Sequence, residues 1–176
     1  MSDRREHESA QLRLAAEPTG GLVTMRIRAD DPQTRAAAGC ALQLDLPATP
    51  RRPARRADLI IYWTAPNAWL LAGDADAIAM SLHDALAGRH AALVDVSDAR
   101  TRFTIAGSAA RRLLAKATSI DLAPSHFPPG DAALTRFADL TVLLHCVGDE
   151  PLFHLFADRP GTEHLWFWLL DAAREF

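Results

Sequence analysis

Residues 94–116 read VDVSDARTRFTIAGSAARRLLAK, and two side-chain periods meet inside them. In TRFTIA (101–106), Thr101, Phe103 and Ile105 fall on one face, Arg102 and Thr104 on the other. That is the period of two of a strand with one buried face, which an antiparallel sheet provides. Gly107-Ser108 then turns the chain, with Ser108 as the expected N-cap. Ala110, Leu113, Leu114 and Ala117 follow at i, i+3, i+4 and i+7, the buried stripe of a helix, and Arg111, Arg112 and Lys116 lie away from it.

Working outward, other segments repeat this mixture. Residues 22–27 (LVTMRI) alternate as a strand. Asp31 and Pro32 read as N-cap and first residue of a helix that stops at Gly39, and 41–46 (ALQLDL) alternate as a further strand. Segment 47–57, PATPRRPARRA, is a proline-punctuated basic loop, because its three prolines exclude a helix or a central strand. Strands at 59–63 and 69–72 flank a Pro66-Asn67 turn and form a hairpin. Asp74 caps a helix carrying Ile78, Leu82, Ala85 and Leu86 that ends near Gly88, and 92–96 is a strand. After a loop at 121–131, strands follow at 132–137, 140–147 and 152–156, with a turn at 148–151. Thr162 caps a last helix from 163 to about 174.

Short connections between strands demand antiparallel neighbours. The class is therefore α+β rather than a doubly wound parallel sheet. Residues 1–20 are polar and read as a flexible N-terminal tail. Residues 21–176 form one α+β domain, with possible sub-units at 21–98 and 99–176.

Bulk properties narrow the function. The chain has 176 residues, 49% of them hydrophobic, and a net charge of −3, which gives no reason to expect non-specific nucleic-acid binding. Cys40 and Cys146 are too few for a disulfide framework and suit a reducing compartment. The first residues lack the apolar core of a secretory signal, and the longest apolar run, 165–170, is too short to span a bilayer. A cytoplasmic location is expected.

Catalytic and metal signals are weak. The seven histidines include no i, i+4 helical pair, and adjacent His145 and Cys146 point to opposite faces of their strand. There is no GxSxG, GxGxxG or GxxxxGK[ST]. Cys40 follows Gly39 at the expected helix end, where the helix dipole does not favour a reactive thiolate. Arg51, Arg52, Arg55 and Arg56 have no aromatic residue between them and read as a solvated loop, with an acidic protein partner the next reading, ahead of DNA.

The final helix is different. Trp166, Leu169, Leu170 and Ala173 make one stripe; Phe167, Asp171 and Arg174 make the opposite one. One stripe suffices to pack a helix on a sheet. The apolar excess, Phe167 with part of Trp168, either meets a partner or fills a wide core. Aromatic enrichment at interface centres puts a partner interface at Trp166, Phe167 and Trp168 first.

The stretch DVSDARTRFTIAGSAARRLLAKATSIDL resembles the folate-binding aminomethyltransferases, the T-protein of glycine cleavage and its relatives. More closely, WTAPNAWLLAG (63–73), VDVSDARTRFTIAGSAARRLLAKATSIDLAPSHFPPG (94–130) and HLWFWLLDAA (164–173) resemble the gamma subunits of heterotetrameric sarcosine oxidase. The resemblance implies a truncated aminomethyltransferase-like fold of two interlinked antiparallel sheet and helix units. It implies a non-catalytic chain with no cofactor of its own. Its partners would be alpha, beta and delta subunits that carry FAD, FMN, NAD, tetrahydrofolate and zinc. The complex would oxidatively demethylate sarcosine to glycine, pass the one-carbon unit to tetrahydrofolate or release it as formaldehyde, and form H2O2. The transferases' glycine-rich hairpin with its acidic pair has no counterpart near 135–142, where Asp139 is the only acid and reads as a turn residue rather than a general base. The methionine that usually follows DVS in the transferases is also absent. The alternatives are a stand-alone folate-binding one-carbon protein and a cofactor-free adaptor for another flavoprotein.

Overall fold

The computed structural model describes residues 4–148 and 150–176. It is α+β, with two antiparallel sheets in two compact units. One unit joins the N-terminal residues up to Thr19 to Asp98–Phe176; the other is Gly20–Ser97.

The first unit is a six-stranded sheet. Its strands are β1 (Arg5–Glu8), β2 (Arg13–Pro18), β8 (Arg100–Ala106), β9 (Ala132–Phe137), β10 (Leu140–Gly148) and β11 (Leu152–Asp158), in the order β1-β2-β8-β11-β10-β9. The expected alternation of β8 is observed: Thr101, Phe103 and Ile105 are buried. Phe103 and Ile105 join Leu14, Val142, Leu144, Phe153 and Leu155 in one core, under α3 (Ala110–Leu114) and α4 (Thr162–Ala173). Burial of side chains of this size contributes about 2 kcal/mol each.

Three expectations for this unit are corrected. Residues 5–18 are not a loose tail: β2 pairs with β8 in the register Leu14↔Ile105 and Ala16↔Phe103, and Leu12, Leu14 and Ala16 are buried. Helix α3 runs only to Leu114, and Ala109, not Ser108, is its N-cap, with no side-chain bond. Gly161 rather than Thr162 caps α4; the Thr162 hydroxyl instead hydrogen-bonds that of Thr101 at 2.7 Å.

The second unit is a five-stranded sheet of β3 (Leu22–Ile27), β4 (Ala54–Arg56), β5 (Leu59–Ala65), β6 (Ala68–Ala72) and β7 (Ala91–Asp95), ordered β4-β5-β6-β3-β7. Its helices are α1 (Pro32–Leu42) and α2 (Ala75–Leu86), and Met25, Ile61, Trp69, Leu71, Ile78 and Leu82 make its core. The β5–β6 hairpin forms as expected, and Asn67 adopts a φ of 59° in its turn. Asp74 caps α2 by accepting from the Ala77 N–H. Asp31 caps α1, accepting from the Thr34 N–H and hydroxyl; these two bonds lower its carboxyl pKa.

Here too the sequence misleads at two places. Helix α1 continues through Gly39 and ends at Gln43, whose backbone is left-handed (φ 51°) and whose N–H reaches the Cys40 carbonyl. Residues 43–46 are consequently a loop and not a strand; Leu42 and Leu46 are buried without one. The basic loop is also partly ordered, because Ala54–Arg56 pairs with β5 as the sheet's end strand.

Candidate partner-facing helix

The two stripes of α4 separate by burial. Leu165, Trp166, Leu169 and Ala173 lie in the core, with Trp166 only 6% exposed. Trp168 is half-buried, and its ring meets the edge of Phe137 at 5.2 Å and 73°. Leu170 is also half-buried. Phe167 projects outward and is 63% exposed. An exposed phenylalanine forgoes about 2 kcal/mol of burial, which a second surface would recover. Of the three aromatic residues expected at a partner surface, the structure therefore places Phe167 on the outside, Trp168 at the margin and Trp166 in the core.

Polar contacts hold this helix in place. The Glu163 carboxylate lies 3.5 Å from the Arg5 guanidinium of β1, and His164 Nε2 lies 3.1 Å from the Ala138 carbonyl in the β9–β10 turn. Asp171 and Arg174 pair at 3.2 Å on the exposed stripe. Such exposed pairs each contribute at most about 1 kcal/mol, so α4 is fixed mainly by its buried stripe.

The loop before β9 is pinned by a residue that periodicity placed on the solvent side of α3. Arg111 donates through Nη1 to the carbonyls of Leu122 (2.5 Å) and Phe127 (3.0 Å). Its Nη2 lies 3.5 Å from Cys146 Sγ, and the guanidinium stands 5.1 Å from the Phe153 ring centroid. Phe127 of the FPPG segment is thereby held in the core, 1% exposed. No local sequence signal marks this role, since its partners lie 11 to 42 residues away along the chain (111 to 122, and 111 to 153).

The opposite face of the six-stranded sheet carries a polar cluster that sequence reasoning also missed. Glu17 accepts from the Thr104 hydroxyl at 3.2 Å and pairs with Arg102 at 3.1 Å. His154 sits opposite Thr104 in register, with its ring 6.5 Å from that of His145. Burial first, then the Arg102 charge, push the His154 pKa down to about 4, with Glu17 pulling the other way. At neutral pH the cluster thus holds one ion pair and a neutral imidazole. Beside it, an open groove of about 540 Å³ is floored by Ala15, Thr104, Ala106 and Leu152 and rimmed by Glu6, Glu8 and Arg13.

Asp139, the one acid in the region corresponding to the transferases' hairpin, stands in the β9–β10 turn with φ 68°. Its side chain is 96% exposed and pairs with Arg136 at 3.2 Å, a solvated turn position rather than the enclosed setting of a general base. Among the described residues, no group of three His, Cys, Asp or Glu could hold a metal ion, and no helix is long and apolar enough to cross a membrane.

Comparison with known proteins decides the family. Residues 26–175 match the sarcosine oxidase, gamma subunit family. The chain belongs to this family. Among its relatives is the sarcosine oxidase subunit gamma of Corynebacterium sp. (strain U-96), 32% identical over 117 residues, which is 66% of this chain and 57% of that relative. A subunit gamma from Arthrobacter sp. is equally similar. The aligned segment thus spans little more than half the length of these curated relatives. The fold is similar to a chain of the heterotetrameric sarcosine oxidase from Corynebacterium sp. U-96 in complex with pyrrole 2-carboxylate, at a TM-score of 0.88 and 27% identity over 97% of this chain and 88% of that one. Aminomethyltransferase T of the glycine cleavage system from Bartonella henselae shares the fold at a TM-score of 0.61 and 15% identity, over 89% of this chain and 45% of that one. This sarcosine oxidase gamma-family chain is therefore aminomethyltransferase-like in fold.

Proposed function

We propose that this chain is the gamma subunit of a heterotetrameric sarcosine oxidase and acts there as a non-catalytic structural component. The observation that carries the reading is the likeness to a chain of the Corynebacterium enzyme over nearly the full length, at a TM-score of 0.88. In this reading the complex oxidises sarcosine to glycine, forms H2O2, and transfers the one-carbon unit to tetrahydrofolate or releases it as formaldehyde. Alpha, beta and delta partners carry FAD, FMN, NAD, tetrahydrofolate and zinc, and the assembly is cytoplasmic. The isolated chain has no activity, which suits Asp139 standing exposed in a turn.

The partner-facing element is α4. Phe167 supplies the apolar contact, Trp168 borders it, and Trp166 supports the helix from the core. Co-expression with tagged alpha and beta chains tests the reading. The chain should co-purify in stoichiometric amount; recovery as a monomer, beside a complex equally active without it, would overturn the proposal.

A further inference from the structure

Arg51, Arg52, Arg55 and Arg56 are all exposed, and no acid lies between them in a chain whose net charge is −3. The last two sit on β4, which pairs only with β5 and so leaves one edge of the five-stranded sheet open. The register fixes which backbone groups face that edge. Arg56↔Leu59 flanks the two-residue turn Ala57-Asp58, and the closing pair of such a hairpin exchanges both of its hydrogen bonds. Alternation then makes Arg55↔Ile60 a non-hydrogen-bonded pair. The N–H and C=O of Arg55 point away from β5, and no turn or loop bond among the described residues uses them. Arg56 Nη2 donates to the neutral Gln43 Oε1 at 2.6 Å, a bond that leaves its charge uncompensated.

We propose that the open edge of β4 receives an extended acidic segment of a partner subunit as a sixth strand. The Arg55 backbone offers one donor and one acceptor for main-chain pairing. The surrounding arginines supply charge complementarity, and their planar guanidinium groups can hold carboxylates through two bonds at once. The absence of aromatic residues between the arginines removes the stacking surface that single-stranded nucleic acid uses.

The proposal rests on the gamma-subunit reading, and its test separates the two. Reconstitution with purified partner subunits is measured for the wild-type chain, for R51Q/R52Q/R55Q/R56Q and for the matching four-lysine variant, with thermal unfolding as the folding control. Failure of the wild-type chain to assemble counts against the gamma-subunit reading, and the docking proposal falls with it. If the wild-type chain assembles, the glutamine variant should bind at least about tenfold more weakly at low salt and lose most of its salt dependence, while the lysine variant keeps most of both. Equal affinity and equal salt slope for glutamine and wild type would overturn docking at β4 alone; the arginines would then only keep a bare edge soluble. R55P, which removes the outward N–H, should assemble more weakly than R55A; equality would overturn the strand pairing. A twelve-residue poly-glutamate peptide should displace the chain from the complex and a dT dodecamer should not; the reverse would overturn the acidic-segment assignment.

Discussion

Gly107 and Gln11 meet backbone to backbone. A β-carbon on Gly107 would overlap the Gln11 carbonyl oxygen and stand 2.9 Å from its carbonyl carbon, and φ at Gly107 is +113°. That same Gln11 carbonyl accepts the Ala109 N–H. The turn between β8 and α3 is thus closed by the segment leading into β2. Gly107→Ala adds left-handed strain to a clash with backbone that cannot swing aside. It should cost about 3 kcal/mol or more, read as a lower urea midpoint, whereas Ser108→Ala should change stability little because Ser108 caps nothing.

Arg111 ties α3 to the FPPG loop through two carbonyls and a ring. Arg111→Met keeps the apolar stem but orphans the Leu122 and Phe127 carbonyls, so a loss of about 1–3 kcal/mol is expected. Arg111→Lys should not restore it fully, since an ammonium can stand in for Nη1 at the two carbonyls but not also for Nη2 beside Cys146 or for the planar guanidinium over the Phe153 ring. Equilibrium urea unfolding of the three proteins checks both statements.

His154 makes stability depend on pH. Its folded pKa of about 4 lies below the ordinary 6.5, so the unfolded chain binds more protons between these values, and stability rises with pH there. The contribution is complete above about pH 6.5 and is lost as pH falls toward 4. Its full size approaches about 3 kcal/mol, and about 2 once partial exposure is allowed for. The stability difference between wild type and His154→Gln, followed from pH 7 to pH 4.5, should shrink by that amount; a pH-independent difference would contradict it.

On α4, burial separates two aromatic substitutions. Trp166→Ala should destabilise the isolated chain by about 3–5 kcal/mol. Phe167→Ser should leave thermal unfolding nearly unchanged yet weaken assembly with the other subunits by about tenfold or more. Unfolding and binding measured on the same two variants decide whether the exposed side of the helix is the partner side.

Much of the fold is legible because local chemistry and tertiary packing agree. The β5–β6 hairpin announces itself through Pro66-Asn67, α2 through Asp74 and its stripe, and β8 through strict alternation. Where they diverge, the sequence is silent. In RLAAEP the buried face of β2 is only Leu14 and Ala16, too little apolar signal to show that the strand completes a sheet with residues some ninety positions later. Gly39 resembles a helix stop, but the helix continues to bury Leu42, and the left-handed turn falls to Gln43. The candidate surface is half legible: helical spacing sets Phe167 opposite the stripe of Trp166, Leu169 and Ala173 that the core covers, yet it cannot tell that Trp168 is half-covered by Phe137. Arg111 and the Arg102–Glu17–His154 cluster depend on non-local partners and leave no trace in local pattern.

The measurement that bears most directly on the account is assembly. Co-expressed with tagged alpha and beta subunits, the full chain should elute with them as one stoichiometric complex that forms H2O2 from sarcosine, and omitting it should lower the yield or stability of that complex. A chain that elutes alone, beside partners whose assembly and sarcosine oxidation are unchanged by its absence, would contradict the structural-subunit reading.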